Sequence, residues 1–472
     1  MRRVVVIGGG ISGLAAAWAV RQAAGGIDGG VEVLVLEREA RVGGKARTIA
    51  RDGWMMEAGP GGFLGGRPEV DRLLAASGME GECVTANKAA AHRFLMIDGK
   101  IREVATNPVA FARSGILSAG GFLRMIGEPF IPRRTDGADE SIWQFAARRL
   151  GAQVADRMIS PMMLGIYAAD ARQLSVEAAF PRMTALERDH GSIILGMIAK
   201  RGKTRSGVLT SFRGGMQSFP TALAERGGFA VRCDAEVRAL ARAERGWEVA
   251  VAGDRETIPA DAVILAAEPF AAAPLLRTQD QAAAAELESI ACPPVAVVGL
   301  GFGAGEAARV PNGFGVLIAR GEGLRALGNL WESRFYPGRS PEGTVLIRAL
   351  FGGQVDPEAG AMSEAELVAL ARGEVERLYG FTSPPVMQEV HRWPRAVPHY
   401  ELGHVQRVQR IERAVAALPG LFITGYGLRA IGFADAAVNG VRCGEGAGKW
   451  LRESGSGRAD PGARNCAIAA SA

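Results

Sequence analysis

Gly8-Gly9-Gly10-Ile11-Ser12-Gly13 is the first stretch of this chain whose residue types and spacing could do chemistry. It fits G-x-G-x-x-G, a turn that brings backbone N–H groups to the pyrophosphate of a dinucleotide. Gly8 permits the tight turn and Gly10 lets the phosphates approach the helix start at Ile11 and Ser12. Gly13 lets helix and strand pack closely, and Glu37 stands where a carboxylate accepts ribose hydroxyls. The spacing alone is a weak signal, so the neighbouring elements decide. Val4-Val5-Val6-Ile7 is a β-branched run, the mark of a buried parallel strand. Leu14 to Ala24 reads as a helix, Gly25 to Gly30 breaks it, and Val31 to Leu36 is a second strand ending at Glu37. With both strands, the helix and the acid in place, a chance glycine turn is improbable.

Two other glycine stretches carry less. Gly299 to Ala304 also fits the spacing, but Arg309, Pro311, Asn312 and Gly313 follow, and no helix is expected to start there. A second nucleotide domain for NAD(P)H is therefore not expected. Gly444 to Lys449 has the look of a P-loop, yet Cys443 replaces its first glycine and Trp450 its Ser or Thr; a helix near the end of the fold is expected instead. His92, His190, His391, His399 and His404 are too scattered for a metal motif, and each is expected to be structural. There is no HExxH, no Ser–His–Asp order and no paired-carboxylate motif, so no side chain is assigned as a catalyst.

These residues need a large scaffold. At 472 residues the chain should form at least two domains, interleaved in sequence. Its 64 glycines sit mostly in short runs beside apolar strands, which suggests loops pressed against a ligand. The net charge of +5 is diffuse and mainly arginine, a balance that suits anionic lipid or an acidic substrate and offers no nucleic-acid patch. Five scattered cysteines without CxxC fit a reducing cytoplasm. Met1 to Ile7 is not expected to act as a signal peptide, since its apolar run is short and leads straight into glycines, and there is no run of about 20 apolar residues.

In the middle of the chain, Arg93 to Ile101 reads as a hairpin around Asp98-Gly99. From about Phe111 to Lys203 the pattern is mainly helical. Ile142, Phe145, Ala146 and Leu150 share a face, and Gly151 stops that helix. Phe122, Leu123, Met125, Ile126, Phe130 and Ile131 lie next to Arg133 and Arg134; Ile193, Ile194, Met197 and Ile198 lead into Lys200, Arg201, Lys203 and Arg205. Such apolar and basic stretches suit a membrane surface, or else the core side of a helical cap.

Beyond Glu37, Arg41-Val42-Gly43-Gly44-Lys45 and Glu57-Ala58-Gly59-Pro60-Gly61-Gly62-Phe63 resemble the flavin superfamily of amine oxidases, phytoene desaturases and protoporphyrinogen oxidases. The more specific stretches resemble protoporphyrinogen oxidases. They are Leu164 to Asp170 with Gln173-Leu174-Ser175, Phe180-Pro181, His190 to Gly196, Ser211 to Met216, Asn312 to Leu317 and Pro398 to His404. Ala169 replaces a usual glycine, and in Ala430 to Ala436 the usual Asn and Cys are missing while Gly432 and Asp435 remain. The similarity covers nearly the whole chain up to about Glu453.

The resemblance implies an α/β fold: a Rossmann-type FAD-binding domain (glutathione reductase/p-hydroxybenzoate hydroxylase-like) interleaved with a mixed-sheet substrate domain and a helical membrane-facing domain. Residues 1–85, 206–268 and 415–452 would bind FAD, 86–102 and 269–414 substrate, and 103–205 the membrane; 453–472 is expected to be a disordered tail. The cofactor is expected to be non-covalent FAD. Its implied contacts are Gly8, Gly10, Ile11, Ser12, Gly13, Glu37, Arg38, Gly43, Gly44, Lys45, Gly59, Pro60, Gly61, Gly62, Val237, Gly425, Ile431 and Gly432. The glycines of the 59–62 turn are expected because a planar isoalloxazine leaves no room for side chains.

The implied reaction is six-electron oxidation of protoporphyrinogen IX by FAD, with oxygen as acceptor and hydrogen peroxide as by-product. Arg93 would meet a propionate, the Gly165 carbonyl the pyrrole N–H groups, and Phe314, Leu317 and Leu350 the macrocycle. Coproporphyrinogen III is the alternative substrate, and a non-catalytic flavin- or porphyrin-binding protein the alternative from another class. The resemblance further implies peripheral attachment to the inner face of a bacterial cytoplasmic membrane, a homodimer and contact with ferrochelatase.

Overall fold

The structure is a computed structural model that describes residues 1–25, 30–200 and 207–455. Arg2–Ile7 pairs in parallel with Val31–Leu36 on one side and Ala262–Leu265 on the other. Ala230–Arg232 and Leu421–Ile423 add the edges of this five-stranded parallel sheet. Val4, Val5 and Val6 are fully buried, as a β-branched strand covered on both faces must be.

One face carries the helix Ile11–Ala23 and the last helix, Phe433–Gly455. These two lie close because Gly440 and Gly444 recur along their contact. A Cβ on either would lie 2.2 Å from a carbonyl of the first helix, that of Ser12 or Ala16. The glycines near Lys449 are thus packing residues of a helix, as expected. That helix runs on to Gly455, past the expected start of a tail at 453; the remainder lies outside the described residues. The other face is covered by a three-stranded antiparallel meander, Val237–Ala260, and by helices Pro269–Leu276, Gln281–Glu288 and His404–Ala416.

A seven-stranded mixed sheet forms the second layer. The expected hairpin is there, Arg93–Ile97 paired with Lys100–Glu103, with Asp98 and Gly99 both at positive φ as a two-residue turn requires. Arg93–Ile97 pairs in parallel with Gly315–Ile318, which leads through Gly328–Leu330 to Val345–Gly352, Val295–Phe302 and Met387–Trp393. Val295–Phe302 is antiparallel to both of its neighbours, so it cannot act as a dinucleotide strand. One expectation needs correcting: a helix does start after it, Ala304–Ala307, but it is a single turn. Gly299 and Gly301 are small for another reason, since Met56 and Trp54 pack against their Cα atoms.

Residues 108–200 are mainly helical. Ile142–Leu150 ends at Gly151 (φ 100°), as its sequence requires. The following helix carries a π turn at Ala155–Ile159 just before Pro161. A proline inside a helix has no N–H for the preceding turn, and the wider turn absorbs the defect. Tyr167 then ends the helix, with Ala168 left-handed at φ 53°. The left-handed position is therefore Ala168, and Ala169 is simply a buried core residue.

Candidate functional site

The glycine turn at the first helix has the geometry its spacing predicts. Gly8 has φ 111°, and a Cβ on Gly13 would lie 1.9 Å from the Gly8 carbonyl oxygen. Around Gly10, by contrast, a Cβ would meet nothing within 4 Å. No side chain caps the helix that follows and no acid lies in its first turn, so its leading N–H groups are left for an anion. The Glu37 carboxylate, almost fully buried, accepts from the N–H of Gly9 (2.6 Å) and of Glu39 (2.9 Å). It braces the loop and keeps lone pairs for hydroxyl groups.

Later segments close around this turn. The Gly43 N–H donates to the Gly9 carbonyl (2.8 Å), and the Cα of Gly10 lies 3.4 Å from where a Gly44 Cβ would be. Arg41 ties the doublet by donating to the Gly44 carbonyl (3.1 Å). Lys45 pairs with Glu268 (2.9 Å), donates to the Arg395 carbonyl and sits 4.7 Å from the Trp393 ring centroid. Exposed Arg38 lies 6.0 Å from the Phe270 ring centroid. Val237 opens the meander two residues after Ala235, whose N–H donates to the Glu37 carbonyl (2.8 Å). Gly425 (φ 124°) and Gly8 both approach Ala266, while Ile431 and Gly432 immediately precede the last helix.

The 59–62 turn lies against the mixed sheet, and here the reason for its glycines changes. A Cβ on Gly59 would lie 1.9 Å from the Lys45 carbonyl oxygen, on Gly61 1.8 Å from Glu332 Oε1, and on Gly62 2.4 Å from Tyr336 Oη. Protein atoms alone already exclude side chains at these three positions; half-buried Pro60 lies between them.

The residues implied for the substrate also converge. Arg93 pairs with Gly315, and its guanidinium lies 5.6 Å from the Phe314 ring centroid. Phe314 stacks on Phe335 at 4.9 Å. Leu317 is opposite Gly328, and Gly328 is opposite Leu350, so the two leucines flank a residue without a side chain. A Cβ on Gly165 would lie 2.3 Å from Leu317 Cδ2, so the end of helix Ser160–Tyr167 meets the same sheet face. Because that helix stops at Tyr167, the Gly165 carbonyl receives no backbone hydrogen bond among the described residues.

Sequence reasoning missed Arg348, which shares the sheet face of Leu350. It donates to the carbonyls of Glu57 (2.9 Å) and Gly59 (2.8 Å) and pairs with Glu332 (2.7 Å), joining the sheet to the glycine turn. The available signal was a charge in the midst of the apolar strand Val345–Gly352. His399 and His404 hold the carbonyls of Tyr167 (3.0 Å) and Leu428 (2.8 Å); burial pushes both, and His391 as well, down to about 4. No metal-holding cluster occurs among the described residues.

In the helical region Leu123, Ile126 and Phe130 are exposed, as are Leu195, Met197 and Ile198; Phe122 and Met125 turn inward. Glu128 joins the two exposed sets by accepting from the N–H groups of Ile193 (3.0 Å) and Ile194 (3.2 Å) and by pairing with buried Arg149. The basic side of this surface needs correcting. Arg134 is tied to Asp136 (2.7 Å) and Glu140 (3.5 Å), which neutralise it, while Arg133 donates to the Arg188 carbonyl (3.3 Å) and has no ion-pair partner among the described residues. Arg201, Lys203 and Arg205 lie outside the described residues. No described helix is long and apolar enough to cross a membrane.

The chain belongs to the flavin containing amine oxidoreductase family, whose model it matches over residues 11–443. It is a flavin oxidoreductase that binds FAD, consistent with the open, uncapped turn at Gly10. Among its relatives, protoporphyrinogen oxidase, chloroplastic, of Oryza sativa subsp. japonica is 31% identical over 455 residues, covering 89% of this chain and 83% of the relative. Coproporphyrinogen III oxidase of Bacillus subtilis (strain 168) is 28% identical over 460 residues, covering 93% and 96%. Cyclohexylamine oxidase from Brevibacterium oxydans IH-35A shares the fold, with a TM-score of 0.71 at 15% identity over 96% of this chain and 99% of that one.

Proposed function

We propose that this protein oxidises protoporphyrinogen IX to protoporphyrin IX, removing six electrons in three two-electron steps with oxygen as acceptor and hydrogen peroxide as by-product. The observation that carries this reading is the meeting of Arg93, Phe314, Leu317, Leu350 and Gly165 on one sheet face, whose Arg348 grips the 57–59 turn. Bound FAD supplies a two-electron acceptor at each step; the protein holds the reacting carbon close to it. Gly8 to Gly13, Glu37, Gly43 to Lys45, the 59–62 turn, Val237, Gly425 and Ile431-Gly432 would hold the cofactor. Phe314, Leu317 and Leu350 would exclude water from the macrocycle, and the free Gly165 carbonyl would accept pyrrole N–H groups. In this reading the parallel sheet with its meander is of the glutathione reductase/p-hydroxybenzoate hydroxylase-like kind.

Charge beside Phe314 favours a substrate with two propionates. Arg93 and Lys88, on the two segments flanking Phe314, are exposed and have no ion-pair partner among the described residues. Nearby His92 and Arg213 are taken by Glu103 (2.7 Å) and Glu82 (3.5 Å). Among the described residues, these two unpaired cations match two carboxylates; coproporphyrinogen III, with four, is the second reading and rests on the Bacillus relative. Turnover of both porphyrinogens, followed by porphyrin fluorescence, tests the proposal: protoporphyrinogen should be used at the higher kcat/KM. Failure with both overturns it.

The exposed patch of Leu123, Ile126, Phe130, Leu195 and Ile198 would rest on the inner face of a cytoplasmic membrane, bringing poorly soluble substrate to the pocket. Flotation with anionic liposomes should recover the protein, and Phe130→Asp should abolish recovery. Charge reversal at Arg133 should weaken it more than at Arg134.

A further inference from the structure

Four charged side chains are buried where the glycine turn crosses the mixed sheet: Glu57 (0% exposed), Glu332 (2%), Arg339 (1%) and Arg348 (4%). Arg348 pairs directly with Glu332 at 2.7 Å. Arg339 is 3.7 Å from Glu57 and is held by Ser211 Oγ (2.7 Å). Glu57 Oε1 accepts from the Met216 N–H (2.9 Å), and Oε2 shares a 2.8 Å hydrogen bond with the Thr48 hydroxyl. Tyr336 is the remaining titratable group of the cluster; its Oη, Glu332 Oε2 and the Nε atoms of both arginines lack partners among the described residues. Glu332 and Tyr336 touch the turn itself at Gly61 and Gly62.

The two carboxyls are not equivalent. Glu332 has a close guanidinium, so its charge is compensated. The hydrogen-bonding partners of Glu57 serve either form: the Met216 N–H still donates to a protonated carboxyl, and the Thr48 hydroxyl, which donates to the carboxylate, can turn to accept from the acid; only Arg339, at 3.7 Å, favours the charged form. Burial first, and the charge of Glu332 second, push Glu57 up to about 7.

We infer that Glu57 binds one proton when the flavin beside the 59–62 turn takes up two electrons, and releases it when the flavin is reoxidised. This rests on the placing of the flavin proposed above. Reduction adds negative charge beside this buried cluster, which raises the proton affinity of Glu57. The balance closes. Each two-electron step passes a hydride to the flavin and frees one proton, and Glu57 takes one proton from the medium. Reoxidation returns two electrons and two protons to oxygen, one of those protons from Glu57.

The test is a potentiometric titration of the holoenzyme between pH 5.5 and 8.5, followed by flavin absorbance and using no substrate. The wild-type midpoint potential should fall more steeply with pH above about 7, where only the reduced protein binds the extra proton. Glu57→Gln preserves both hydrogen bonds and should remove the steepening. Glu332→Gln removes the neighbouring charge and should move it to lower pH, which provides a second reading should Glu57→Gln fail to fold. A wild-type profile without the steepening, one that survives Glu57→Gln, or one unmoved by Glu332→Gln overturns the inference. If Glu57→Gln changes the flavin absorption but not the profile, only the proton is lost; if it changes neither, the placing of the flavin falls too.

Discussion

Gly8–Gly13 and Gly299–Ala304 carry the same glycine spacing and end in opposite surroundings. The first follows a strand with parallel neighbours and opens a helix of 13 residues. The second follows a strand with antiparallel neighbours and opens a single turn. In the first the glycines are needed by backbone and leave space at Gly10; in the second they make room for Met56 and Trp54. What gives such a motif its meaning is the direction of the neighbouring strands and the length of helix whose N–H groups it presents.

Substitutions can break or sharpen that contrast. Gly13→Ala should be the most damaging, because its Cβ meets the immovable Gly8 carbonyl: a loss of about 3 kcal/mol or more in urea unfolding, with little FAD retained. Unchanged stability would show that the turn can widen. The carboxyl beside the glycine turn should come next. Glu57 has a folded value of about 7 against an ordinary 4.5, so its contribution is complete below 4.5 and lost as pH rises through 7. Wild-type stability should fall by up to about 3 kcal/mol across that window relative to Glu57→Gln. Gly10→Ala places its methyl in open space at an ordinary φ of −72°; stability should hold while FAD binding weakens by about 1.4 kcal/mol, or tenfold, in equilibrium dialysis. Arg93→Ala should cost about 1.5 kcal/mol in kcat/KM, the low end for a charged hydrogen bond because the side chain is exposed. Gly303→Ala, with nothing within 4 Å, should change both stability and FAD content by less than about 0.5 kcal/mol. An FAD loss there equal to that of Gly10→Ala would erase the distinction between the two turns.

The local parts of this fold were legible because local rules fix them. Val31–Leu36 follows from its β-branched run, and the turn at Asp98-Gly99 from residues that tolerate positive φ. The helix Ile142–Leu150 was legible in extent but not in its facing. Leu150 was placed on one face with Ile142, Phe145 and Ala146, yet it is only half-buried while Arg149 is fully buried. Arg149 is inside because Glu128, 21 residues away, compensates it, and periodicity does not register such a partner. The same holds for Arg348 and the Glu57 carbonyl, which are 291 residues apart. The glycines at 59–62 were noticed, but their crowding by Glu332 and Tyr336 depends on a strand and helix met much later in the chain.

The seating of the last helix on the first governs the order in which the molecule can be finished. Arg2 donates to the Leu451 carbonyl and to Ser454 Oγ (3.0 Å), so the two ends of the described fold lie side by side. On the ribosome the Gly8–Gly13 turn emerges early, but Leu421–Ile423 and Gly440 emerge only after both the helical region and the mixed sheet have been made. The nucleotide layer is therefore completed only after those two regions have been made, and the cofactor site cannot be whole before then. For the same reason a short linker between residues 2 and 454 would reconnect neighbouring atoms, and new ends opened at an exposed loop elsewhere would let that layer be made without interruption.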